Sequence, residues 1–223
     1  MNKKILALTL LVTGLVIFFT GCINIGGQVQ GTGAVITRQM DVEDFSSIDV
    51  SGNFIIIYRQ SSEMALTISM QENLFNHLDV NTRNGILSVG SRRSFNTTNT
   101  NRPRMYVYAP YLTAADLSGA VGTSNWDSIE IERFNLDISG AVSFNANLYV
   151  ERLYIDASGA ASITLGGNAT NIDVDGSGAL NINASDMTIG GGRVDISGAA
   201  NVTLSSLDNI NVRTSGVARV REG

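Results

Sequence analysis

The sequence predicts an all-β fold, a parallel β-helix with coils of about 18–21 residues, on three observations. The first is a repeated word. "DISGAVSF" at Asp137 follows "DLSGAVGT" at Asp116 and precedes "DASGAASI" at Asp156, "DGSGALNI" at Asp175, "DISGAANV" at Asp195 and "RTSGVARV" at Arg213. Its serines, at positions 118, 139, 158, 177, 197 and 215, are 21, 19, 19, 20 and 18 residues apart, and a near-fixed period in that range signals a solenoid. The second is an alternation of apolar and polar residues inside each period, the pattern of a strand with one buried face. The third is the scarcity of helical periodicity in a chain with two prolines and one cysteine.

Residues 1–21 read as a lipoprotein signal peptide. Lys3 and Lys4 precede an apolar run, Ile5 to Phe19, that is short for a membrane span. "FTGC" then sets a small residue before Cys22, as in a lipobox, although Phe19 stands where leucine is usual. Cys22 is therefore the expected lipidation site; the alternatives are an ordinary signal peptide or an uncleaved anchor. With a single cysteine the chain has no disulfide framework. Residues 22–33, rich in glycine and without periodicity, read as a flexible tether.

Residues 34–223 read as one β-helix domain: irregular N-terminal coils over 34–111, repeat coils over 112–223. In the first part "FSSIDVSGNFIIIYRQ" and "ALTISM" alternate, "GILSVG" follows an "RNG" turn, and "RMYVYAP" ends at Pro110. "QENLFNHLDV" fits a short helical turn or a link between strands.

In the second part the residue after Asp in each motif points inward with the apolar set, which turns Asp and Ser outward. The turn glycines Gly119, Gly140, Gly159, Gly178, Gly198 and Gly216 fall where the strand rounds a corner, a place that calls for positive φ or close backbone approach. Asp116, Asp137, Asp156, Asp175 and Asp195 would form a carboxylate ladder. Neighbours about 4.8 Å apart repel by about 1–3 kcal/mol at an effective dielectric between water and 20. The favoured remedy is local: each carboxylate accepts the backbone N–H two residues on. Calcium is the alternative, but the G-G-x-G-x-D repeat is absent and no metal is assigned.

The serial "SGA" words, with the Phe45-x-x-Ile48 opening, the Asn84-Gly85-x-Leu87 hairpin and the Pro110-x-Leu112 step, resemble the putative auto-transporter adhesin, head GIN domain family. The resemblance spans Asp41 to about Arg219. It implies a right-handed parallel β-helix, often on a lipoprotein, and brings no catalytic residues. The chain's "ARVREG" ending departs from the family's tail.

Composition narrows function. Cleavage would remove both lysines, leaving 13 arginines against 20 acids and a net charge of −7; the repeat half holds six arginines and thirteen acids. Such a surface does not suit nucleic acid, because phosphate contacts need cations. Arg83, Arg92, Arg93, Arg102 and Arg104 around "SFNTTNTNR" read as a solvated loop and strand edge, or else an anion patch. A carbohydrate-active β-helix enzyme would need convergent carboxylates with a base. There is one histidine, His77, and the acidic pairs Glu130/Glu132 and Asp173/Asp175 read as solvated. Ser177 lacks a G-x-S-x-G frame. Trp126 reads as a packed loop anchor or, if exposed, as a sugar or protein contact. The expectation is a non-catalytic lipoprotein of the bacterial cell envelope, joined to the membrane through an N-terminal lipid. It would use no cofactor and display an adhesin-like surface to an unknown protein or glycan; self-association is left open. An envelope-stress or regulatory accessory protein is the alternative within that class.

Overall fold

The computed structural model describes residues 27–98 and 101–223; Cys22 and the signal segment lie outside them. The protein is all-β. Strands β1 (Val29–Gln30), β2 (Val35–Met40), β3 (Ser47–Gln60) and β4 (Ala65–Gln71) lead into a 3₁₀ turn over Glu72–His77. They are followed by β5 (Leu78–Arg83), β6 (Ile86–Ser91), β7 (Phe95–Asn96) and β8 (Arg104–Ala109). The motif half contains β9 (Ala114–Thr123), β10 (Ile129–Ile189), β11 (Gly192–Leu204) and β12 (Ile210–Glu222).

The motif half is paired in parallel and in motif register. Asp116 faces Asp137, Asp175 faces Asp195, and Asp195 faces Arg213, with the Ser, Gly and following residues aligned behind them. Within β10 the chain runs back past itself, because the backbone of Gly159 lies against Gly140 and that of Gly178 against Gly159. Alternation decides the inside. Val142, Phe144, Ala161, Ile163, Leu180, Ile182, Ala200 and Val202 are buried after the glycines, and Leu153, Ile155, Ile172 and Val174 before the motifs. All belong to one core. A fully buried side chain such as Phe144 contributes about 1.5–3 kcal/mol.

β3 joins the two halves. One edge carries β9 in the same motif register, with Asp49 opposite Asp116 and Gly52 opposite Gly119. Its other edge carries β6 along Ser47–Val50 and β8 along Ile55–Gln60, both parallel. Beyond them the pairing reverses: β4 is antiparallel to β8 and to β2, and β5 to β6. The irregular coils expected over 34–111 are thus a mixed cap of parallel and antiparallel strands. The reversal between β5 and β6 has a local cause. Asn84 and Gly85 both have positive φ, 52° and 75°, the signature of a two-residue type I′ turn, which joins only antiparallel strands.

The expected tether also ends earlier than Gly33. Val29 and Gln30 pair with Phe95 and Asn96, Gly31 is buried, and Asn73 exchanges hydrogen bonds with Thr32 N–H and the Gln30 carbonyl. Trp126 is the packed anchor, 8% exposed. Its indole N–H donates to the Ile56 carbonyl at 3.0 Å, and its ring meets Phe144 edge-on at 5.2 Å.

Candidate functional site

The repeated word forms a ridge. Ser, Gly and Ala lie at the outer surface in succession, followed by a buried residue; Ser139, Gly140 and Ala141 are exposed and Val142 is buried. Three outward residues in a row break strict alternation, and the glycine makes that possible. The six turn glycines have φ between 81° and 113°, a region that side-chain-bearing residues rarely adopt. A Cβ on Gly140 or Gly159 would also lie 2.6 Å from the carbonyl oxygen of the glycine one pass earlier. Gly52 heads the same column, with φ 119° and its backbone against Gly119. Sequence reasoning missed it because Asn53 replaces the alanine and a long insertion separates it from the next motif; the word "DVSGN" was the available signal. The serines add cross-pass bonds: Ser158 Oγ donates to the Ile138 carbonyl at 3.3 Å and Ser197 Oγ to that of Gly176 at 3.4 Å.

The Asp column lies beside this ridge. Asp116, Asp137, Asp156 and Asp175 are exposed, and Asp195 is half-buried. Burial pushes the Asp116 carboxyl above its ordinary pKa, with Asp49 and Asp137 adding repulsion; burial and then Asp156 do the same to Asp137. Asp49 is therefore a member that the motif count left out. Among the described residues, no carboxylate of the column accepts the backbone N–H two residues on, contrary to expectation. Those N–H groups belong to the parallel ladder between passes. A cation supplies compensation at one end of the column, at Asp175 and Asp195. Arg193 donates through Nε to Asp173 at 3.1 Å, and its terminal nitrogens lie 3.5 Å from Asp175 and 3.4 Å from Asp195. The Asp173 bond, ahead of the three charges, raises the guanidinium's pKa. Arg213 stands opposite Asp195, as the sequence implied.

Two open grooves flank the ridge. One, about 580 Å³, runs along the exposed methyls of Ala120, Ala141, Ala160 and Ala179 and ends at Arg102. That guanidinium is committed: Nε donates to Asn53 Oδ1 at 2.6 Å and a terminal nitrogen to the Ala120 carbonyl. Arg93 likewise donates to the Gly27 carbonyl at 2.9 Å, so two of the five arginines expected at a solvated loop and strand edge brace backbone. The other groove, about 380 Å³, holds Tyr154, Asp137, Asp156 and the Arg193 cluster. Arg133 lies over the Tyr154 ring at 5.9 Å. His77 ends the 3₁₀ turn and lines neither groove, and Glu132 is paired with Arg152 at 3.8 Å. The ridge and grooves present methyls, hydroxyls, carboxylates and one tyrosine face, a set suited to contact.

The fold is all-β, with one exposed ridge repeated from pass to pass. The chain is a member of the putative auto-transporter adhesin, head GIN domain family, whose model matches residues 44–222. It is an adhesin-like family of exported or surface proteins. Three crystal structures are similar in fold. A putative adhesin from Bacteroides fragilis is 17% identical, with TM-score 0.77 over 87% of this chain and 100% of that one. A putative lipid binding protein from Parabacteroides distasonis is 15% identical, with TM-score 0.62 over 88% and 100%. A putative adhesin from the same organism is 18% identical, with TM-score 0.60 over 88% and 100%. No curated protein matches the chain. Among the described residues no helix is long and apolar enough to cross a membrane.

Proposed function

We propose that this protein is an exported lipoprotein of the bacterial cell envelope, anchored through Cys22, that displays a right-handed parallel β-helix as a non-catalytic interaction surface. The observation that carries the reading is the ridge itself. Each of the five passes from Asp116 to Ala199 adds the same outward Ser and Ala beside the same carboxylate slot, so the surface is periodic and suits an extended or repetitive partner better than a small substrate. The adhesin-like family and the charged n-region before "FTGC" support it.

Two measurements test it. Mass spectrometry of the mature N-terminus should find an acylated Cys22, and Cys22→Ala should leave the protein out of the membrane fraction. Crosslinking on intact cells should capture a partner through the alanine groove. Ala141→Arg with Ala160→Arg, both exposed, should abolish that crosslink without altering the circular dichroism spectrum. An unmodified N-terminus at another residue would defeat the anchor, and an unchanged crosslink the surface.

A further inference from the structure

The last pass of the motif keeps the outward Ser215 and Gly216 but differs in the other outward slots, with Asn211, Arg213, Val217, Arg219 and Arg221 opposite Arg193, Asp195, Ala199, Asn201 and Thr203. β12 pairs with β11 alone, so among the described residues the backbone N–H and C=O groups of its other edge are unpaired over thirteen residues. Its inward face is less covered as well: Val212 is 39% exposed, whereas Val194, one pass earlier in the same slot, is 0% exposed, and Ile210, Ala218 and Val220 are half-buried. A long edge strand of this kind is a template for a further strand. Its side chains decide which strand. Arg213 stands opposite Asp195, Arg219 opposite Asn201 and Arg221 opposite Thr203. In an otherwise acidic half, this edge carries three arginines and one acid, Glu222.

We propose that the β12 edge binds an extended acidic segment of another protein by strand addition. The segment's backbone would take up the free ladder, and its carboxylates would face Arg213, Arg219 and Arg221. The observed facing of Arg213 on Asp195 is the arrangement that such a segment would repeat on the other side. A second copy of this chain, paired in the registers of greatest overlap, is disfavoured. Two copies meeting edge to edge about a two-fold axis run antiparallel. Registers centred on Gly216 or Val217 then set Arg213 opposite Arg219 or Arg221, like charge on like. The edge lies at the end of the stack and the ridge along its side, so this claim and the proposed function can fail separately.

The test uses fluorescence anisotropy with labelled peptides and the full mature chain. The acidic probe is INVDTSGVAEVEE, which is β12 with its arginines replaced by Asp and Glu. The control is β12 itself, INVRTSGVARVRE. The acidic peptide should bind about tenfold tighter than the control, and more weakly as salt screens the pairs. Arg213→Glu, Arg219→Glu and Arg221→Glu together should reverse the preference. These side chains are exposed on a terminal strand, so the variant should keep its fold by circular dichroism. A version of the acidic peptide with two central prolines, equal in charge, should not bind, because it cannot enter a ladder. The proposal is overturned if neither peptide binds, if both bind alike, or if the proline peptide binds as well as its parent. Sedimentation showing dimers that the triple variant abolishes would give the edge to a second copy and overturn it too.

Discussion

Gly159→Ala puts the stacking to a quantitative test. Gly159 has φ 97°, and a Cβ there would lie 2.6 Å from the Gly140 carbonyl oxygen and 2.9 Å from its nitrogen. Two costs follow. Holding alanine at that φ costs about 1–3 kcal/mol. Moving one backbone away from another inside a packed stack costs about 1–3 kcal/mol more. The sum is about 4 kcal/mol, and for a domain of this size about 2–4 °C is lost per kcal/mol, so the melting temperature should fall by about 8–16 °C. Gly33→Ala is the internal control. Its φ is 82°, yet a Cβ there meets nothing within 4 Å, so only the strain applies, about 1–3 kcal/mol. Thermal melts followed by far-ultraviolet circular dichroism would compare the two. Equal shifts would refute the argument that the glycine is required by the pass beneath it. Gly216→Ala should fall between them, because among the described residues β12 pairs with β11 alone and can move outward.

Asp137→Asn should stabilise the protein at neutral pH. The Asp137 pKa is raised in the fold, so the ionised form is the disfavoured one. The wild type therefore gains stability as pH falls through that raised value, and melts taken on the acid side should show the advantage of asparagine shrinking. Arg193→Met should lower stability in dilute buffer by leaving Asp173, Asp175 and Asp195 to repel, and added salt should recover much of the loss; a salt-independent deficit would mean that Arg193 acts through packing instead. Trp126→Phe should cost about 0.5–1.5 kcal/mol in urea unfolding, because the Ile56 carbonyl loses the indole donor and keeps only the Ser124 N–H. A cost near zero would show that the indole bond adds nothing.

The repeat half was legible because each pass repeats the same packing problem. Once Val142, Phe144 and their counterparts alternate at a fixed distance from Ser-Gly-Ala, register and inward face follow from period two. The cap was less so. The Asn84–Gly85 turn could be read as a hairpin, but the antiparallel pairing of β2 with β4 depends on partners some thirty residues apart, which no local pattern states. The Asp column lies on the surface, as the alternation implies, but its own backbone does not hold it. A local hydrogen bond needs a spare N–H in the same turn, whereas a parallel stack uses those donors between passes. Arg193 was legible in principle, since it occupies the slot opposite Asp173 in the next pass.

That slot shows where specificity resides in such a protein. A word repeated within one chain must fit against its own copies. Repetition at the Ser, Gly and Ala positions is thus a demand of packing: Gly159 is needed by Gly140, and Ser158 by the Ile138 carbonyl. A residue under that demand offers a partner the same surface in every pass and cannot tell one partner from another. The slots that change from pass to pass are under no such demand. Two residues before the motif the chain has Ala114, Asn135, Tyr154, Asp173, Arg193 and Asn211, and at the motif's first position it changes from Asp to Arg only at Arg213. These residues are neither repeated nor buried in the core, and they give the acidic groove its ring and its cation and the last edge its sign. The repeated residues therefore account for the shape, and the unrepeated ones are where a partner would be selected.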